Sequence, residues 1–230
     1  MKIQRLRIRF SRGDELKFIT HLDLMRLWER ALRRAKVEIA YSEGFTPHAQ
    51  LSLAAPLAVG VTSAGELIDV FLATRLTPLE FMREVGRQLP AGIDLLDVQE
   101  VGLRGPSLQS ELRAAEYEAS LPTSVAEDDA HAAVERFLAA ESLPWEQLRD
   151  KEVRRYDIRA LVQEMWLEQP NNGSPVVAMR LRADSGGAGR PEQVIAAMGL
   201  PEPMRLHRRS LLLAETSPAH EAWRRHGRFV

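Results

Sequence analysis

The chain has 230 residues, of which 45% are hydrophobic and 27% are charged, and these values are ordinary for a globular protein. It contains no cysteine, which excludes disulfides, thiolate zinc sites, a cysteine nucleophile and an iron–sulfur cluster held by this chain. The six histidines show neither an HExxH motif nor close pairing, so we expect no metal site. The chain has no apolar run long enough to span a bilayer, and no apolar stretch follows its basic start. We therefore predict a cytoplasmic protein without a membrane segment.

The net charge of −1 hides an asymmetry along the chain. Residues 1–36 contain eleven Lys or Arg and four acids, a net of +7, so the remaining 194 residues carry −8. Such polarity predicts one surface that meets an anion. Neutralisation of one half by the other on folding is an equally good interpretation.

The first predicted element is a strand over residues 3–10. Leu6, Ile8 and Phe10 alternate with Arg5, Arg7 and Arg9, which is typical of a half-buried strand. We therefore expect the three arginines to form a row on the open face of the sheet.

A capped basic helix and a turn come next. Thr20 and Asp23 have the spacing of a capping box, and an apolar stripe begins at Leu24 and continues at helical spacing to residue 35. Arg26, Arg30, Arg33 and Arg34 fall away from that stripe, and the helix is predicted to end near residue 36. Residues 41–48 then read as a loop around Gly44 and Pro47.

The rest of the N-terminal half predicts strands over 51–54 and 66–72, a helix over 77–89 and a strand over 93–101. The order β-α-β-β-α-β is the ferredoxin-like, or split βαβ, pattern. We therefore predict a basic N-terminal domain over 1–105, followed by a linker over 102–110.

A weaker second copy of this order follows over 111–215. It has predicted strands over 116–121, 145–149, 156–158, 176–183 and 204–213, with helices over 124–140 and 190–198. Residues 160–167 fit a helix or a strand equally well. The fold prediction is therefore α+β, with two tandem ferredoxin-like (βαββαβ) units of which the second is irregular, and a basic tail over 216–230.

Two candidate sites emerge from these residues. The first is a cationic surface that could contact phosphates, formed by the strand and helix arginines Arg5, Arg7, Arg9, Arg26, Arg30, Arg33 and Arg34. A solvated, ion-paired face is the alternative interpretation. The second candidate is a pair of histidines, His21 and His48, which with a hydroxyl could carry out acid–base cleavage of RNA. Simple capping and surface roles for these histidines are favoured, so no catalytic residue is assigned.

Six stretches of the sequence together resemble the bacterial radical SAM-linked protein family. They are FITHLDLMRLWERALRRA, AYSEGFTPHAQLSLAAPLAVG and ELID in residues 18–69, and RYDIRALV, GRPEQVIAAMGL and RLHRRSLLL in residues 155–213. The matching motif positions in the first half are His21, Asp23, Ser42, Gly44, Phe45, Pro47 and His48.

The resemblance implies a partner more than a reaction. Members of the family are encoded beside, or fused to, a radical SAM protein with a B12-binding-type domain. It implies that this chain carries no cofactor, and that the partner holds a 4Fe–4S cluster and S-adenosylmethionine, with cobalamin as a further candidate. The absence of cysteine in this chain is compatible with a cluster held by the partner.

The leading functional hypothesis is a non-catalytic accessory module that presents RNA or a ribosome-associated substrate to a radical SAM enzyme. The alternative is a metal-independent endoribonuclease, or an RNA-modification enzyme, that uses His21 or His48. A third interpretation, a pseudouridine-synthase-like scaffold, would need a catalytic Asp on a loop. Asp23 is more simply explained as a helix-capping residue.

Overall fold

The computed structural model describes residues 1–149, 152–171 and 173–214. The fold is mixed α+β, and neighbouring strands within each unit pair mainly in antiparallel fashion. The chain divides into two compact units, one formed by Met1–Leu112 with 211–214 and the other by Arg113–Ser210. The predicted basic tail over 216–230 lies outside the described residues.

Residues 1–111 of the first unit form four strands and three α-helices. They are β1 (Gln4–Arg12), α1 (His21–Arg34), β2 (Leu51–Leu53), β3 (Thr62–Leu72), α2 (Pro78–Gly86), β4 (Leu95–Val101) and the one-turn α3 (Leu108–Glu111). Up to β4 this is the β-α-β-β-α-β order that the sequence predicts. β1 pairs antiparallel with both β3 and β4, and β2 pairs antiparallel with β3. Assignment to the ferredoxin-like class stays a prediction.

One face of β1 forms the core of the first unit, as its alternation predicts. Leu6, Ile8 and Phe10 are fully buried. The Phe10 ring meets the Trp28 ring of α1 edge to face, with 5.1 Å between the ring centroids. α1 therefore lies against this face of the sheet and turns its other side outward.

The second face of β1 is not open, which corrects the prediction of an exposed arginine row. Arg5 and Arg7 are only 3% and 2% exposed, and Arg9 on the same face is half-buried. The segment 102–111, which contains the predicted linker 102–110, covers this face. Arg5 donates hydrogen bonds to the carbonyls of Gly102, Gly105 and Pro106 in that segment.

Asp69 of β3 makes this burial possible. It lies opposite Arg7 in the strand register and is fully buried. Asp69 Oδ2 accepts from Arg5 Nη2 at 2.5 Å and from Arg7 Nη2 at 3.0 Å, while Oδ1 accepts from Arg7 Nε at 2.8 Å. Glu111 Oε2 accepts from Arg7 Nη1 at 2.6 Å. Two cations and two carboxylates thus balance inside the fold.

The electrostatics of this network favour ionised groups. Burial alone would lower the pKa of Arg7, but the hydrogen bonds and charges of Asp69 and Glu111 outweigh it and raise that pKa. Isolated buried charges are very costly, so the four groups depend on one another.

Both long helices of the first unit begin with a capping box. Thr20 Oγ1 accepts from the Asp23 amide at 3.2 Å, and Asp23 Oδ2 accepts from Thr20 Oγ1 at 2.7 Å. Thr77 and Glu80 repeat the arrangement at α2. The capping role predicted for Asp23 is thus confirmed. The threonine hydrogen bonds are the main reason that the pKa values of Asp23 and Glu80 lie below their usual 3.8 and 4.5.

The second unit departs further from the predicted order. Its elements are β5 (Leu112–Ser120), α4 (Glu127–Ala139), β6 (Pro144–Arg149), β7 (Glu152–Asp157), β8 (Val162–Asn171), β9 (Ser174–Asp184), β10 (Gly187–Ala188), α5 (Pro191–Ala197) and β11 (Arg205–Leu213). β9 pairs with β5 and β8, whereas β6 and β7 form a separate two-stranded sheet. Of the ambiguous segment 160–167, residues 162–167 belong to β8, which pairs antiparallel with β9, whereas 160 and 161 lie in a single 3-10 turn. Among the described residues, no helix is long and apolar enough to cross a membrane.

We expect Thr20→Ala to lower the free energy of unfolding by about 1 kcal/mol at pH 7, because α1 loses a side-chain cap. Since the folded-state pKa of Asp23 is depressed, the stabilisation is complete above the usual carboxyl pKa and is lost as pH falls through the folded value. Urea denaturation over a pH series should therefore show a cost that shrinks in acid. Thr74→Ala, at an exposed loop threonine, is the control and should have little effect at any pH.

We expect Asp69→Ala to lower the free energy of unfolding by about 3–5 kcal/mol, because it leaves Arg5 and Arg7 buried without their shared carboxylate. Glu84→Ala removes one carboxylate from an exposed pair with Arg83 and should cost about 0–1 kcal/mol. Urea denaturation measures both. Equal midpoints for the two variants would contradict the role given to Asp69.

Candidate nucleic-acid interface

The exposed side of α1 carries a stripe of arginines. Arg26, Arg30, Arg33 and Arg34 are all exposed, and they follow one another at spacings of one, three or four residues on a single helix face. At 1.5 Å per residue the stripe is about 12 Å long. These four arginines lie outside the apolar stripe, as the sequence predicts. Arg5 and Arg7, by contrast, belong to the buried network.

The four arginines differ in how far the fold already uses them. Arg34 Nη2 donates to the carbonyl of Gln88 at 2.7 Å, beyond the end of α2. Arg26 lies 3.6 Å from Asp23, with its side chain 68% exposed. The side chains of Arg30 and Arg33 make no hydrogen bond or salt bridge within the described part of the chain. They are the two guanidinium groups best placed to meet an external anion.

A short hairpin follows α1 and contains most of the motif positions. We call residues 41–49 the 41–49 hairpin. Tyr41 and Ala49 form an isolated antiparallel bridge at its base. The Ser42 amide donates to the His48 carbonyl at 2.9 Å, and the His48 amide donates to Ser42 Oγ at 2.9 Å. The turn is therefore closed by two hydrogen bonds near its base.

Gly44 and Phe45 form the tip of the 41–49 hairpin. Gly44 has φ of +128°, a conformation that side chains with a Cβ rarely adopt. Phe45 is fully exposed, and Pro47 is exposed beside it. The sequence motif includes this loop, but the motif did not predict that the Phe45 side chain would point into solvent.

His21 and His48 lie at opposite ends of α1. His21 is the first residue of the helix, whereas His48 belongs to the hairpin that follows its last turn. β2 then leads away from the hairpin to Gly60, whose amide donates to the Lys17 carbonyl just before α1 begins. The helix has 14 residues, so its ends are about 21 Å apart. The structure does not bring the two imidazoles together for acid–base chemistry.

The second unit has an open cavity of about 290 Å³ beside the β6–β7 sheet. Its polar groups are already engaged by the protein. Tyr156 donates from its hydroxyl to Gln193, and the carboxylate of Asp157 accepts from the amides of Leu143 and Arg159. The Leu143 amide is the main reason that the pKa of Asp157 is lowered. These contacts give Asp157 a structural role, because its carboxylate holds the backbone around residues 143 and 159.

Metal binding has no candidate in the residues that the structure describes. Within 1–149, 152–171 and 173–214, no group of three or more His, Cys, Asp or Glu residues is placed to hold a metal ion.

Three solved structures illustrate what the fold resembles. The chains are 14%, 13% and 12% identical to this one, with TM-scores of 0.46, 0.42 and 0.43. They come from a Cbf5-Nop10-Gar1 complex, an H/ACA RNP bound to a substrate RNA containing 2′-deoxyuridine, and the archaeal box H/ACA sRNP Nop10-Cbf5 complex. The matches cover 88%, 89% and 96% of this chain but only 47%, 46% and 56% of the solved chains. This chain thus spans about half their length.

No curated protein matches the sequence. One family model does, and it aligns with residues 5–191, which is most of the chain and includes the α1 stripe and the 41–49 hairpin. The protein therefore belongs to the family described as uncharacterized protein conserved in bacteria (DUF2344).

Proposed function

We propose that the protein binds RNA through the exposed arginine stripe of α1. The observation that carries this proposal is the placement of Arg26, Arg30, Arg33 and Arg34 on one solvent-facing helix surface. Guanidinium groups suit phosphate because they donate two parallel hydrogen bonds to one anion. A stripe of such groups can follow a phosphate backbone without reading its sequence.

The alternative role of these arginines is structural. Arg33 and Arg34 lie in the last turn of α1, where cations interact favourably with the negative end of the helix dipole. Arg34 also holds the carbonyl of Gln88. Neither the helix dipole nor a contact with the fold explains Arg30. It lies one turn earlier, and its side chain makes no described hydrogen bond or salt bridge. Of the four arginines, Arg30 therefore gives the strongest support for binding of an external ligand.

The proposal extends to a partner protein. The chain would act as a non-catalytic recognition module that presents RNA, or a ribosome-associated component, to a separate radical SAM enzyme. This part rests on the sequence resemblance and on the absence of cysteine, which leaves a 4Fe–4S cluster to the partner. S-adenosylmethionine, and cobalamin if it is used, would be bound there as well.

The RNA proposal is tested with Arg30→Gln/Arg33→Gln, which removes two cations without touching the core. We expect weaker binding to an unstructured RNA, and a salt dependence of log K that is shallower by about 0.7 for each lost phosphate contact. The matched control is Arg75→Gln/Arg83→Gln, which removes two exposed arginines that already pair with carboxylates. Fluorescence anisotropy at several salt concentrations measures both.

The outcome that contradicts the proposal is equally direct. If the Arg30/Arg33 variant keeps the wild-type affinity and salt slope, α1 is not the RNA surface. If the control variant loses as much affinity as the α1 variant, binding reflects overall charge and not this helix.

The partner proposal is tested by affinity purification of the tagged full-length chain from cells that produce it. We expect a radical SAM protein to co-purify, and to remain after ribonuclease treatment if the contact is direct. Purification of RNA alone would contradict the accessory role and leave autonomous RNA binding.

A further inference from the structure

The 41–49 hairpin presents an aromatic ring that the fold itself does not use. Phe45 has a relative exposure of 110%, the highest of the exposed large hydrophobic side chains among the described residues. Burying a phenylalanine side chain is strongly favourable in water. A single exposed apolar residue on a surface needs no special explanation. What sets Phe45 apart is the turn that carries it and the charges that surround it.

Phe45 is displayed on a defined turn. The two hydrogen bonds between Ser42 and His48 close the hairpin three residues to either side of the ring. Gly44 takes the left-handed conformation that directs the chain through the tip, and no atom outside its immediate neighbours lies within 4 Å of where its Cβ would be. These bonds hold the backbone that carries the ring, so less backbone freedom is lost when a flat ligand stacks on Phe45.

The hairpin emerges at the cationic end of α1. Ala40 donates its amide to Phe71 of β3, and Phe71 donates its amide to Gln50, so the base of the hairpin is attached to the end of β3. Lys2 Nζ lies 4.5 Å from the centre of the Phe71 ring. Lys36 is exposed in the short connection between α1 and the hairpin. One cation, Lys36, therefore belongs to the segment that leads into the hairpin, and a second, Lys2, lies beside the end of β3 to which the hairpin base is attached.

Two acids also occur here, and they help to define the ligand. Glu38 and Glu43 are exposed, and Glu43 lies two residues before Phe45 at the hairpin tip. A carboxylate at the tip disfavours a phosphate in that position. The cations near the base favour one. This distribution of charge suits a nucleic-acid strand whose phosphates follow α1 and whose neutral part contacts the tip of the hairpin.

We propose that Phe45 stacks on an unpaired nucleobase of the RNA whose phosphates contact α1. Stacking of bases on exposed aromatic rings beside a cationic groove is the general way in which proteins hold single-stranded nucleic acid. Bases in a duplex are stacked on each other and offer no free face to such a ring. The ligand is therefore single-stranded RNA or an RNA loop, which deepens the proposed function and rests on it.

The test compares Phe45→Ala with Phe45→Trp and with Phe18→Ala. Phe18 is the matched control, because it is also exposed, at 71%, but precedes the opposite end of α1. We expect Phe45→Ala to weaken binding of an unstructured RNA by about 5- to 150-fold, the range measured for loss of one base–aromatic stack. Phe45→Trp should bind as tightly as the wild type, and Phe18→Ala should change nothing.

Four further readouts separate stacking from other causes. Binding to duplex RNA should be insensitive to Phe45→Ala. The salt slope should stay unchanged, because phenylalanine carries no charge. A fluorescent adenine analogue in the RNA should be quenched by the wild type and not by Phe45→Ala. Because Phe45 makes no packing contact, urea denaturation should give wild-type stability for that variant.

The outcomes distinguish this inference from the proposal on which it rests. If Arg30→Gln/Arg33→Gln weakens RNA binding but Phe45→Ala does not, the stacking inference is overturned and the α1 proposal stands. If the wild-type chain binds no RNA, both are overturned. If Phe45→Ala leaves RNA binding intact but abolishes recovery of a co-purifying protein, the tip is a protein-docking element, which also overturns the inference.

Discussion

The carboxylate of Asp69, held between two buried arginines, is the interaction on which the first unit depends. It allows β1 to carry arginine at alternate positions while lying between β3 and β4. The two arginines in turn bind the segment that covers this face of the sheet: Arg7 donates to Glu111, and Arg5 donates to the carbonyls of Gly102, Gly105 and Pro106. With that face closed, α1 occupies the other face, and its arginine side faces solvent.

The cations of the first 36 residues therefore divide into two classes. Arg5 and Arg7 neutralise carboxylates inside the fold, and Arg12 is buried with its Nη2 on the carbonyls of Ala58 and Val61. Arg26, Arg30, Arg33 and Lys36 remain outside. The charge asymmetry along the chain is thus partly structural, and the positive charge left for a ligand is concentrated on α1 and on Lys36 in the connection after it. Arg5 and Arg7 are neutralised within the fold, and the proposed recognition of an anion concerns different residues, on α1.

Periodicity was enough to predict most elements of the first unit. The capping spacing of Thr20 and Asp23 and the apolar stripe of α1 are local signals, and local hydrogen bonds confirm them. The burial of Arg5 and Arg7 depends on Asp69 and Glu111, which are 62 to 104 residues away along the chain. Asp69 meets them through the pairing of β3 with β1, and Glu111 meets Arg7 from α3. The available clue was Asp69, a charged residue inside the otherwise apolar run 67–72 of β3. The solvent exposure of Phe45 could not be predicted, because loop patterns do not say which way a side chain points.

The account makes α1 and the 41–49 hairpin one continuous surface for single-stranded RNA, with phosphates on the helix and a base at the tip. Ultraviolet cross-linking of the full-length protein to an unstructured RNA, with the cross-linked peptides identified by mass spectrometry, tests this most directly. The account predicts cross-links within residues 26–48, with Phe45 among the modified positions. Cross-links confined to the second unit, or to peptides that lack both α1 and the hairpin, would contradict it.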